Sequence, residues 1–180
     1  MLPLVRRGIW FESADSSSRV AGYIFTNPSV KPYCVLQISH GMCEHIARYE
    51  EFAGVLAAAG IAVCGNDHIG HGASVADEGD LGYFTEKGGR QFAVTDLRTM
   101  NTKIREIFPG LPDILLGHSL GSFFSRRYAA RRPATIDGLI TRGTGAKDPP
   151  ACLGNALPSL RMHPICSRTL ITHRVYMPLG

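Results

Sequence analysis

The apolar run Ile114-Leu115-Leu116 leads directly into Gly117-His118-Ser119-Leu120-Gly121, and a helical pattern follows at once. That order of residues demands a tight strand-to-helix turn. A serine at the tip of such a turn takes strained backbone angles, so the neighbouring turn positions have to be small, and glycine occupies both 117 and 121. The turn lifts the Ser119 hydroxyl clear of the sheet. It also places the Leu120 amide in the first turn of a helix, where unpaired N–H groups and the helix dipole favour negative charge. Ser119 is therefore the candidate nucleophile rather than a plain turn serine. Leu120 is a candidate backbone donor to a tetrahedral oxyanion.

Around this turn the chain alternates strand-like and helix-like segments, which predicts an α/β architecture. Val20 to Thr26 and Tyr33 to Ser39 read as strands, with Asn27, Pro28 and Ser29 as the turn between them. Phe52, Val55, Leu56 and Ala59 mark one face of a helix that Gly60 caps, and Ile61 to Gly65 is a short strand. The stretch from Asn66 to Gly89 is too irregular to assign. Leu97, Met100, Ile104, Ile107 and Phe108 then follow a long amphipathic helix ended by Pro109-Gly110. Ile136 to Thr141 is one more buried strand. The expectation is roughly six strands, mostly parallel because the helices act as crossovers.

In a chain of 180 residues, 44% hydrophobic and 19% charged, one sizeable core is the default. It is expected over residues 1–148. From Pro149 prolines scatter among Arg, His and Cys without any period, so 149–180 read as a partial lid or a disordered tail. The net charge of +4 owes much to Arg126, Arg127, Arg131 and Arg132, late in one predicted helix where cations complement the dipole. No aromatic-interleaved basic stripe accompanies them, which argues against a nucleic-acid partner. The five cysteines, Cys34, Cys43, Cys64, Cys152 and Cys166, are odd in number and lack metal-type spacing. They read as reduced thiols of a cytoplasmic protein. MLPLVRRGIW is too short an apolar start for a signal peptide, and no later run approaches ~18 apolar residues.

A second chemical feature, His40-Gly41-Met42-Cys43-Glu44-His45, follows the Tyr33 to Ser39 strand. In a sheet-based hydrolase the loop after such a strand supplies the other oxyanion amide, here that of Met42, and a His40-Gly41 start leaves room for the backbone to approach a carbonyl oxygen. Glu44 and Arg48 stand four residues apart, where a carboxylate and a guanidinium can pair and brace the loop. Asn66-Asp67-His68 and Gly70-His71-Gly72 follow the next strand at the carboxyl edge, where α/β sheets place ligands. These histidines read as structural. Their spacing fits no zinc pattern, and no metal is expected.

HGMCEHIARYEEFAGVLAAAGIAVCGNDHIGHG, then LGYF, then GHSLGSFFSRRYA, resembles the monoacylglycerol lipase and lysophospholipase branch of the α/β-hydrolases, often grouped with serine aminopeptidase-type hydrolases. The likeness covers Phe11 to Gly145, with three motifs in the family's order. It implies an α/β-hydrolase sheet, Ser119 as nucleophile, and the Met42 and Leu120 amides as the oxyanion hole. The implied reaction is hydrolysis of a carboxylic ester such as a monoacylglycerol or lysophospholipid through an acyl-enzyme, without a cofactor. The implied partner is a small acyl ester, with room for transient contact with lipid surfaces. Dehalogenase and epoxide hydrolase relatives are disfavoured, since they place a carboxylate where this chain has Ser119.

The chain also departs from that family. α/β-Hydrolases run nucleophile, acid, histidine along the sequence. After Ser119 the acids are Asp137 and Asp148 alone and the histidines His163 and His173. Asp137 is expected before a strand, at the wrong edge of the sheet, and Asp148 opens the tail. His118, adjacent to Ser119 on a tight turn, reads as packing. The expectation is an α/β-hydrolase fold incomplete at its C-terminus. The alternative reading is a truncated, inactive hydrolase-like fragment.

Overall fold

The computed structural model describes residues 3–85 and 87–144, together with two short strands further on. Apolar, β-branched runs supply β1 (Val5–Glu12), β2 (Arg19–Thr26), β3 (Cys34–Ser39), β4 (Ile61–Asn66), β5 (Asp113–His118) and β6 (Gly138–Arg142). The later strands are β7 (Thr169–Leu170) and β8 (Val175–Tyr176). Their order across the sheet is β1-β2-β4-β3-β5-β6-β8-β7. β3 pairs in parallel with both β4 and β5, and β5 with β6. β2 runs antiparallel to β1 and β4, and β8 antiparallel to β6. All six residues of β3 are buried, as a central strand covered on both faces requires. The expected α/β sheet, mostly parallel across its centre, is what forms. The division at residue 148, and with it Asp148, His163 and His173, lies outside the described residues.

Helices cover both faces. α1 (Glu50–Ala58) packs on one side with Phe25, Leu36, Ile38, Ile46 and Val63, while α2 (Gly89–Ile107) and α3 (Leu120–Arg131) pack on the other with Val35, Cys64 and Leu115. Leu97, Met100 and Ile104 of α2 are buried as their spacing predicts. α1 differs from its expectation. It buries Ala53 and Ala57, whereas Phe52 and Val55 point outward. Two small residues four apart let the helix lie close against β2 and β4, and that close approach overrides the size of the apolar side chains one position away. β1 was also not foreseen from the sequence. It is an edge strand with a single buried residue, Phe11, so its side chains carry almost no burial pattern.

Under the sheet lies a buried polar chain. Gln37 Nε2 donates to the Leu97 carbonyl at 2.9 Å, and Asn101 Nδ2 donates to Gln37 Oε1 at 2.9 Å and to Asp113 Oδ2 at 2.6 Å. Burial pushes the Asp113 carboxyl up to about 7, helped by the nearby Asp137 charge and opposed by the Asn101 bond and Arg105. A carboxyl that folding makes less acidic favours the native state at low pH. The contribution of this carboxyl to stability therefore falls by up to about 1.4 kcal/mol per pH unit as pH rises from about 4 towards about 7. Asp113→Asn keeps an acceptor for Asn101 and removes the charge. In urea unfolding it is expected to stabilise the protein by about 1 kcal/mol or more near pH 8, with a smaller gain near pH 4.5. A gain that does not depend on pH would refute this account.

Candidate functional site

The carboxyl ends of β3, β4, β5 and β6 carry the site. Ser119 sits between β5 and α3 with φ 48° and ψ −114°, a backbone conformation that L side chains rarely adopt. Its N–H donates to the Arg142 carbonyl at 2.8 Å, and its carbonyl accepts from Ser122 N and Ser122 Oγ. The bend is thus pinned to β6 on one side and to α3 on the other. Gly117 and Gly121 are small because the turn is crowded. A Cβ at Gly117 would lie 2.6 Å from Ser125 Oγ, and one at Gly121 would fall on the Ser39 and His40 carbonyl oxygens. Ser119 remains partly exposed, as the sequence predicted for the tip of a sharp turn.

The His40 loop lies directly against Ser119. A Cβ at Gly41 would stand 2.8 Å from Glu44 Oε1, 3.2 Å from Ser119 Cβ and 3.3 Å from His118 Cδ2, so any larger residue would crowd this approach. The Gly41 N–H donates to Glu44 Oε1, and the Tyr49 hydroxyl donates to the same oxygen at 2.8 Å. Met42 is the next amide of the loop. Its exposed side chain and Leu120 line one cavity of about 470 Å³ together with Phe84, Phe124, Thr85 and Arg90. The structure therefore brings Ser119, Gly41, Met42 and Leu120 together.

Arg48 does not brace the loop by pairing with Glu44. It is exposed, and the only ion pairs among the described residues are Arg6–Glu50 and Arg19–Glu12. Tyr49 takes the place the sequence reading gave to Arg48, because a partly buried carboxylate is better served by two short hydrogen bonds than by a solvated guanidinium. Burial opposes ionisation of Glu44. The bonds from Gly41 and Tyr49 lead the effects that outweigh it and hold the carboxyl below its usual range. His118 packs as expected, its ring against Gly41 and Gly143, with Nδ1 buried and unpartnered.

Behind the loop, His40, His68 and His71 form a buried cluster. His40 Nδ1 lies 2.7 Å from the Gly41 carbonyl, and His40 Nε2 accepts the His68 backbone N–H at 2.9 Å. His68 Nε2 lies 3.0 Å from the His40 carbonyl, and the two rings sit 4.0 Å apart. Burial drives both imidazoles toward neutrality, His40 down to about 4 and His68 well below its ordinary value. Asp67 anchors the same region by accepting from Ile46 N at 2.7 Å and Ala73 N at 2.9 Å. Asp137 lies at the opposite, amino end of β5, where its carboxylate accepts from Asp113 N, so it cannot serve Ser119. Among the described residues no group of three or more His, Cys, Asp or Glu could hold a metal ion. No helix among them is long and apolar enough to cross a membrane.

A hydrolase family model described as serine aminopeptidase, S33, matches residues 19–177. The chain belongs to the S33 family. Within it, the rat (Rattus norvegicus) monoglyceride lipase is 34% identical over 116 residues, 64% of this chain and 36% of that protein. The monoacylglycerol lipase of Mycolicibacterium smegmatis is 34% identical over 121 residues, 67% of this chain and 41% of the relative. Among solved structures, a thermostable carboxyl esterase from Bacillus coagulans in complex with glycerol superposes with a TM-score of 0.73 at 34% identity. That match covers 87% of this chain and 49% of the esterase. This S33 chain therefore spans about two fifths of the lipases it matches and half of the esterase. The order β1-β2-β4-β3-β5-β6 and the helices on both faces are those of the α/β-hydrolases.

Proposed function

We propose that this S33 protein hydrolyses carboxylic esters of the monoacylglycerol or lysophospholipid type, with Ser119 as nucleophile. The observation that carries the reading is the Ser119 bend, strained, partly exposed, and set against the Gly41 loop, with its chain neighbour Leu120 and the loop's Met42 lining a largely apolar cavity. Ser119 Oγ attacks the ester carbonyl carbon, and its proton passes to a base. The carbonyl oxygen becomes an oxyanion, stabilised by the Met42 and Leu120 N–H groups. Such donors contribute on the order of 3 kcal/mol each to the transition state. Collapse expels the alcohol with a proton, leaving an acyl-serine that water cleaves to the free acid. Glu44 takes up the Gly41 N–H and so fixes the amide that follows. The relatives named monoglyceride lipase support a glycerol ester as substrate, and the apolar cavity walls suit an acyl chain.

One observation favours a second reading, an acyl-binding protein without turnover. The imidazole hydrogen bonds among the described residues go to Gly41, His40, His68 and Ile69, and none reaches Ser119. A fluorophosphonate probe and p-nitrophenyl butyrate separate the two. Labelling and turnover that disappear in Ser119→Ala support the hydrolase. A folded protein that binds fatty acid but neither labels nor turns over supports the second reading.

A further inference from the structure

We propose that His68 is a positioning residue, clasping the His40–Met42 loop at its working distance from α3. The proposal rests on the hydrolase reading for its consequence, though not for its geometry. The Gly41 carbonyl can only accept, so His40 Nδ1 carries the proton that meets it at 2.7 Å. The His68 backbone N–H can only donate, so His40 Nε2 is a bare acceptor at 2.9 Å. Both ring nitrogens of His40 are thus used, and its tautomer is dictated by the backbone.

His68 returns the contact. The His40 carbonyl can only accept, so His68 Nε2 bears hydrogen and donates to it at 3.0 Å. Backbone and side chain of one residue thereby hold the side chain and backbone of another, 28 positions away. The His40 carbonyl oxygen faces α3 as well, standing 2.5 Å from where a Gly121 Cβ would be. The clasp therefore sets the gap between the loop that carries the Met42 amide and the helix start that carries the Leu120 amide. Phe124 meets the His68 ring edge-on at a centroid distance of 5.1 Å, and Phe84 lies 6.3 Å away. Both aromatics also wall the cavity, so the clasp is locked by the surface that would contact an acyl chain. His68 itself would touch neither substrate nor Ser119.

The test uses the full chain. In long-range nitrogen–proton NMR spectra, His40 is expected as the Nδ1–H tautomer and His68 as the Nε2–H tautomer at neutral pH, with slowly exchanging ring protons. His68→Phe keeps an aromatic ring among these neighbours and loses the donor. It is expected to lower kcat for p-nitrophenyl butyrate by about tenfold to a hundredfold, the scale on which a displaced catalytic group acts, with KM changed by less than about twofold. His68→Gln, which puts an amide N–H near the position of Nε2, recovers most of that loss. His68 found as the Nδ1–H tautomer, or wild-type kcat in a folded His68→Phe, would overturn the proposal. Loss of kcat that His68→Gln does not rescue, at an equal melting temperature, counts against it too. If the unaltered chain shows no Ser119-dependent turnover, the hydrolase reading fails by itself, and the tautomer measurement decides the clasp.

Discussion

Replacing Ser119 by glycine is expected to abolish ester turnover while stabilising the protein. On the proposed hydrolase reading, the loss follows from removing the oxygen assigned the attack. In serine hydrolases that act through a coupled set of groups, deleting the nucleophile costs on the order of 10⁶ in kcat, with some catalysis left from the oxyanion donors. A fall of at least about 10³ in p-nitrophenyl butyrate turnover is expected here. The gain in stability follows from the backbone. At φ 48° and ψ −114° a side chain is strained, and residues held in such regions cost on the order of 1–3 kcal/mol. Glycine removes that cost and adds back part of it through its larger unfolded-state entropy, leaving about 1 kcal/mol of net stabilisation. For a chain of this length that raises the melting temperature by roughly 2–4 °C. Calorimetry of the two proteins checks it. A glycine variant that melts lower than the parent would show that the bend stores no strain.

Gly121→Ala is expected to damage the fold itself. The added methyl would fall on the Ser39 carbonyl oxygen and lie 2.5 Å from that of His40, and both are backbone atoms at the end of the fully buried strand β3. No side chain is available to rotate away. Relief requires α3 to lift from the sheet, which opens the contacts that Phe124 and Tyr128 make with Leu97 and Leu115. Overpacking of a core commonly costs 1–3 kcal/mol, and a clash against backbone belongs at or above the upper end, about 3 kcal/mol or more. The expected fall in melting temperature is roughly 6–12 °C. Whatever folded fraction remains should lose turnover as well, since the Leu120 amide moves with the helix. An alanine variant within 2 °C of the parent, labelled normally by a fluorophosphonate, would show that the helix start has room to shift.

These two variants probe the part of the site that could be read along the chain. Glycines at 117 and 121 around a serine, with a strand before and a helix after, describe a bend whose sterics involve neighbours within a few residues. The apolar spacing of Leu97, Met100 and Ile104 likewise specified the buried face of α2. Period alone failed for α1. Phe52 and Val55 outweigh Ala53 and Ala57 in hydrophobicity, yet the helix turns its alanines inward to approach β2 and β4. β1 is illegible in the sequence because an edge strand with one buried residue carries no alternation.

From sequence alone came the α/β layering and the bend at Ser119, because short-range sterics and periodicity are written in adjacent residues. The nearness of the glycine loop to that bend came from the family resemblance. Tertiary structure decided the partnerships. Glu44 bonds to Gly41 and Tyr49 rather than to Arg48, and His68 clasps His40 across 28 positions. Which side chains meet depends on strand order: β4 lies beside β3, and that adjacency brings the loops after them together. A hydrogen bond between distant segments is fixed by where the sheet places their ends, and residue spacing along the chain does not carry that information.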